Sequence, residues 1–166
     1  MKTNRTAIAV FVILTALAAA AQSASQKSFD QMKSLAGSWQ GTTRMGDPVA
    51  VSYRVTSGGS AVMSEIQSEK HGHEDMISMI HLDGDRLLLT HYCATGNQPR
   101  MVASASPDGK TITFDFLDVT NLSNLDAVHM NRVVFTFIDP NHHVEEWHAV
   151  DHGKEIVEVF DLQRKG

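Results

Sequence analysis

The chain has 166 residues, with 14 Lys and Arg against 19 Asp and Glu, a formal net charge of −5 at neutral pH. That acidic balance argues against nucleic acid and against an anionic membrane surface as partners. A single cysteine, Cys93, excludes an internal disulfide, and the length fits one domain with a core of its own.

Lys2 and Arg5 precede an uncharged, Ala-rich stretch from Thr6 to Ala21 that runs into Gln22-Ser23-Ala24-Ser25. This predicts a secretory signal peptide over residues 1–23, cleaved within 21–25, and hence an exported protein, periplasmic or secreted. The apolar stretch is marginal for crossing about 30 Å of hydrocarbon, so no stable membrane insertion is expected. Without Lys2 and Arg5 the 14 basic residues fall to 12 against 19 acidic ones, and the formal charge moves from −5 to −7.

The expected domain spans residues 28–166. Phe29, Met32 and Leu35 or Ala36 recur at helical spacing, so a short helix is predicted over 28–36, with Ser28 as its N-cap and Gly37 as its stop. About ten strands follow: Trp39–Met45, Val49–Thr56, Ser60–Ser68, Asp75–Leu82, Arg86–Cys93, Arg100–Ser106, Thr111–Asp118, Met130–Ile138, His143–Val150 and Glu155–Gln163. Several alternate cleanly, as in Ile112, Phe114 and Phe116 against Thr111, Thr113 and Asp115, or Met101, Ala103 and Ala105 against Arg100 and Ser104. After the first helix only an irregular stretch near 119–129 has room for a crossover, which favours an antiparallel meander. Closure removes the two unpaired edges of an open sheet. The expected class is therefore all-β, a single antiparallel up-and-down barrel of about ten strands with one short N-terminal helix.

The connections sort into two kinds. Ser57-Gly58-Gly59, Asp83-Gly84-Asp85, Pro107-Asp108-Gly109-Lys110 and Asp139-Pro140-Asn141-His142 are tight turns, all even-numbered along the chain. The odd-numbered connections are 46–48, 69–74 (EKHGHE), 94–99 (ATGNQP), 119–129 (VTNLSNLDAVH) and 151–154, and three of them are long. In a meander the two kinds fall at opposite ends, so one end is closed and the other is a mouth equipped with polar side chains.

Gly37-Ser38-Trp39, a short helix leading into Gly-x-Trp, resembles the opening signature of the lipocalins and the wider calycin barrels. The resemblance implies that the helix plugs the closed end, that Trp39 packs at the barrel base, and that Arg164 covers it. The segments YRVTSGGSA (53–61), HLDGD (81–85) and THYCATGNQPRM (90–101) also resemble exported bacterial proteins of unknown function with lipocalin-like barrels, a similarity that brings no activity with it.

The densest polar run, from His91 to Arg100, occupies a mouth-end connection. His91 shares a strand face with Leu87 and Leu89 and so points into the cup, where its pKa is sensitive to its neighbours. Asn97 or Gln98 would offer an amide and Arg100 a cationic fork to a carbonyl or carboxylate. Asn121 and His129 belong to the natural lid. The leading expectation is a binding protein for a small hydrophobic molecule with a polar end, held by His91, Asn97, Gln98, Arg100, Asn121 and His129 and needing no cofactor.

Two alternatives stay open. A small barrel enzyme would use His91 as general base on a hydrophobic carbonyl or ester compound, paired with Cys93, or would use Glu146 with His148. A haem or metal binder would gather His71, His73, His91 and His129, with Cys93, around haem, zinc or copper. Against the metal, the chain has no Cys pair, no His-x3-His helix and no ordered ligand spacing. A one-residue change of register at Asp139-Pro140-Asn141-His142 decides whether Glu145 or Glu146 points inward. The plainer reading puts Glu145, Glu146 and His148 on an outward polar face beside an inward Trp147.

Overall fold

The computed structural model describes residues 22–68, 76–124 and 126–166. The expected signal segment up to residue 21, and the loop holding His71 and His73, lie outside the described residues. Ser23, in extended backbone, accepts a hydrogen bond from the Gln26 N–H at 3.1 Å and so caps helix α1, Ala24–Ser34. The helix starts four residues before the expected one because its first turn is polar and carries no apolar period. Ser28, expected as the cap, is buried inside the helix instead. The apolar face is the expected one, and Phe29, Met32 and Leu35 are buried.

Ten strands follow: β1 Gly37–Thr43, β2 Pro48–Thr56, β3 Ala61–Ser68, β4 Met76–Asp83, β5 Arg86–Tyr92, β6 Gln98–Ala105, β7 Thr111–Thr120, β8 His129–Asp139, β9 His142–Asp151 and β10 Lys154–Arg164. Their ends match the sequence expectation to within two residues. Each strand is antiparallel to its neighbour in the chain, and β1 pairs with β10, so the sheet closes into a barrel. At that seam Gly41 lies opposite Leu162. A Cβ at position 41 would overlap the Asp161 carbonyl oxygen, so the seam closes only over glycine.

The helix and the tight turns share one end. Gln31 Nε2 donates to the Gly109 carbonyl at 2.9 Å, and Ser25 Oγ donates to the Asp85 carbonyl. Trp39 packs beneath the helix, its Nε1 donating to the Leu35 carbonyl at 2.7 Å. The Arg164 guanidinium lies 4.3 Å from the Trp39 ring centre and donates to the carbonyls of Ser34 and Ala36 at 2.8 Å and of Pro140 at 3.2 Å. Arg164 thereby ties the last strand to the helix and to the β8–β9 turn. Arg164→Ala removes a cation–π contact and three charge-assisted bonds, and should cost about 2 kcal/mol in urea unfolding. A loss below about 0.5 kcal/mol would show that the guanidinium only decorates the surface.

Alternation along the strands fills the barrel. Ile80, Leu89, Met101, Ile112, Phe114 and Phe135 are among the fully buried side chains. At the β8–β9 hairpin a bulge at Ile138 lets Asp139 pair with His142, so Pro140-Asn141 forms the turn. That register turns His143, Glu145, Trp147 and Ala149 inward.

Candidate functional site

Ile66 lies near the end of β3, shortly before the β3–β4 connection, Met76 begins β4 just after it, and Met130 and Ala149 pair across β8 and β9. With Trp147 and Phe160 they wall an apolar cavity of about 130 Å³ at the end carrying the longer connections. Ile156 and Glu158 of β10 also line it. His91 lines the cavity too, and its ring is fully buried. Its Nδ1 lies 2.9 Å from Ser78 Oγ, and its ring centre is 4.8 Å from that of Trp147. Its Nε2 has no hydrogen-bond partner among the described residues.

Burial pushes the His91 imidazole down from its ordinary 6.5 to about 4. Between those values the unfolded chain binds more protons at this side chain than the folded protein does. The stability tied to the neutral ring is therefore complete above the unfolded value and is lost as pH falls from about 6.5 towards about 4, by about 3 kcal/mol. Urea unfolding measured at several pH values should show His91→Phe losing less stability than the wild type over that interval. Parallel pH curves would locate the acid sensitivity elsewhere.

Deeper in the barrel lies a polar cluster that sequence reasoning missed. Glu145 is fully buried and takes three partners. Trp147 Nε1 donates to Oε2 at 2.8 Å, the Tyr53 hydroxyl donates to Oε1, and His143 Nε2 lies 3.1 Å from Oε1. The His143 ring meets Trp39 edge-on with centres 4.3 Å apart. Burial, followed by the adjacent Glu145 carboxyl, pushes the Tyr53 phenol well above its ordinary value, so Tyr53 serves as a donor. Trp147 joins the two sites, since its N–H is held by Glu145 while its ring walls the cavity and meets His91.

The outward placement expected for Glu145 is thus corrected. Side chains two apart on a strand share a face, so an inward Trp147 carries Glu145 inward with it. Glu146 and His148 face outward, and His148 Nδ1 sits 2.9 Å from Glu155 Oε1, which takes His148 away from any partnership with Glu146 inside the barrel.

The other expected ligand residues do not gather around His91. Arg100 lies on the outer face, where its Nε donates to Asp118 Oδ1 at 2.6 Å and its Nη2 to Oδ2. That ion pair holds Arg100 protonated over a wider range than usual. Asn97 is buried but donates from Nδ2 to the Val128 carbonyl at 2.7 Å. Asn121, in left-handed backbone at φ 56°, donates to the Gly96 carbonyl at 2.6 Å. Gln98 donates to the same carbonyl at 3.1 Å and accepts from Thr120 Oγ1 at 2.9 Å. His129 donates from Nδ1 to the Ala127 carbonyl at 2.8 Å and rests against Phe116. These amides knit the β5–β6 and β7–β8 loops together around a shallower, more polar groove of about 380 Å³. Cys93 is half-buried against the core, beyond His91 on the same strand run. Among the described residues no three His, Cys, Asp or Glu side chains are grouped to hold a metal.

The barrel recurs in solved structures. The M. tuberculosis protein Rv2717c aligns over 84% of this chain and 98% of its own, with a TM-score of 0.55 and 15% identity. A Nostoc punctiforme protein of unknown function from the DUF3598 family aligns over 82% of this chain and 49% of its own, with a TM-score of 0.53 and 12% identity. No protein-family model matches the sequence, and no curated protein does. At these identities the likeness is one of fold.

Proposed function

We propose that this is an exported binding protein that holds a small, mainly apolar molecule in the mouth-end cavity, with His91 meeting the molecule's polar end. The observation that carries this reading is a buried imidazole on the wall of an apolar cavity, one of its nitrogens without a partner among the described residues. A few polar groups in a largely apolar concavity are the usual make-up of a small-molecule site. The stack of Arg164 on Trp39 beneath a capping helix supports a lipocalin-like barrel, and the basic and apolar N-terminal segment supports export. Catalysis by His91 as general base is the weaker reading, because a base works best with a pKa near the working pH and burial holds this imidazole at about 4.

Native mass spectrometry of the protein purified from its own source tests the binding role. A reproducible organic adduct that His91→Phe diminishes is the expected result. Protein that never carries an adduct, and binds no apolar probe in solution, would overturn the proposal. Sequencing the N-terminus of the same material tests export, with a mature chain starting between residues 22 and 26 expected.

A further inference from the structure

We infer that the mouth-end cavity selects an uncharged, ring-sized molecule bearing one hydrogen-bond acceptor, which takes the Nε2 proton of His91. This rests on the binding role proposed above and narrows the chemistry of the ligand. Size comes first. The cavity, about 130 Å³, is close to the ~150 Å³ apolar cavity that accommodates benzene, and well below the roughly 300–1,000 Å³ of drug-sized sites. One six-membered ring, or a short branched alkyl group, fills it.

Charge comes second. Among the described residues no Lys or Arg lines the cavity. Arg100 and Arg132 stand on the outer face, paired with Asp118 and Asp115. The acids on this side are Glu158, which lines the cavity, and Glu145, which stands behind the Trp147 indole. A carboxylate ligand would lose its hydration there with no Lys or Arg among the described lining residues to replace it. An ammonium group would lose its hydration as well and meet a donor at His91, while Glu158, the acid on the lining, already has a partner of its own.

The donor role of His91 follows from Ser78. The Ser78 hydroxyl is buried, and His91 Nδ1 is the partner it reaches, at 2.9 Å. A buried O–H needs an acceptor, so the hydroxyl donates to Nδ1 and the imidazole carries its own proton on Nε2. That N–H lacks an acceptor among the described residues. A ligand carbonyl or ether oxygen supplies one, whereas a hydrocarbon of equal size leaves the donor unpaired.

Titration of the ¹⁵N-labelled mature chain with four probes tests this, read from the Trp147 indole N–H resonance and the amides of Ile66, Met130 and Ala149. Cyclohexanone should bind about fivefold more tightly than toluene. Benzoate and benzylamine should bind at least about tenfold more weakly than cyclohexanone. His91→Phe should keep toluene binding and abolish the preference for the ketone. Ser78→Ala, which releases Nδ1, should reduce that preference and serves if the first variant does not fold. Toluene binding as tightly as cyclohexanone would overturn the His91 contact. Benzoate or benzylamine matching cyclohexanone would overturn the selection for neutral ligands. If no probe moves the Trp147 signal, the binding role itself falls.

Discussion

Replacing Glu145 by alanine should destabilise the barrel by about 3–5 kcal/mol, a large share of the roughly 5–15 kcal/mol that holds a domain of this size together. The cause lies in what the carboxylate leaves behind. Tyr53, Trp147 and His143 all direct polar atoms at Glu145 inside the barrel, and each would lose that partner where water cannot replace it. A graded series separates this from a simple cavity effect. Glu145→Gln keeps the shape and one acceptor oxygen, and should cost about 2 kcal/mol, since its amide nitrogen confronts a donor. Tyr53→Phe deletes one donor together with its need, and should cost about 1 kcal/mol. Urea unfolding followed by circular dichroism gives the order. Equal losses for Glu145→Gln and Tyr53→Phe would show that the carboxylate is not the hub. Because Glu145 fixes the Trp147 indole, Glu145→Gln should also shift the indole N–H resonance and weaken any ligand in the cavity, even where the fold survives.

The placement of Glu145 also shows where reading the sequence stops. The barrel itself was legible, because strand alternation, tight even-numbered turns and a missing crossover are local patterns that closure makes consistent. His91 was legible for the same reason, as a polar residue in phase with Leu87 and Leu89. Arg100 was misread against evidence already present: the alternation that sends Met101 inward sends Arg100 outward, to Asp118. Its proximity in sequence to Asn97 and Gln98 obscured that parity. The Tyr53–Glu145 bond joins residues 92 apart in the chain, and no local pattern encodes it. A polar residue in phase with buried ones was the available signal, since Tyr53 follows Val49 and Val51, and Ser78 lies between Met76 and Ile80. The bulge at Ile138 hid the register of β9 from a count along the chain.

Gly41→Ala should be the most disruptive small substitution in the protein, because the added methyl meets backbone rather than a side chain that can turn away. Its Cβ would overlap the Asp161 carbonyl oxygen and come within 2.8 Å of the Asp161 carbonyl carbon. Relief requires β1 and β10 to move apart, and their pairing, from Trp39 opposite Arg164 to Thr43 opposite Phe160, is what closes the barrel. The cost should reach about 3 kcal/mol, the upper range for overpacking, with loss of ladder hydrogen bonds added as the seam parts. The failure should also differ in kind from that of Glu145→Ala. An opened seam exposes two strand edges, which invite pairing between copies. Gly41→Ala should therefore show accelerated amide exchange confined at first to β1 and β10, and concentration-dependent association well below its unfolding midpoint. Glu145→Ala should exchange faster around β2 and β9 and stay monodisperse. A Gly41→Ala protein with wild-type stability and protected β1 amides would mean that the strands tolerate a wider seam, and that closure does not depend on glycine at this position.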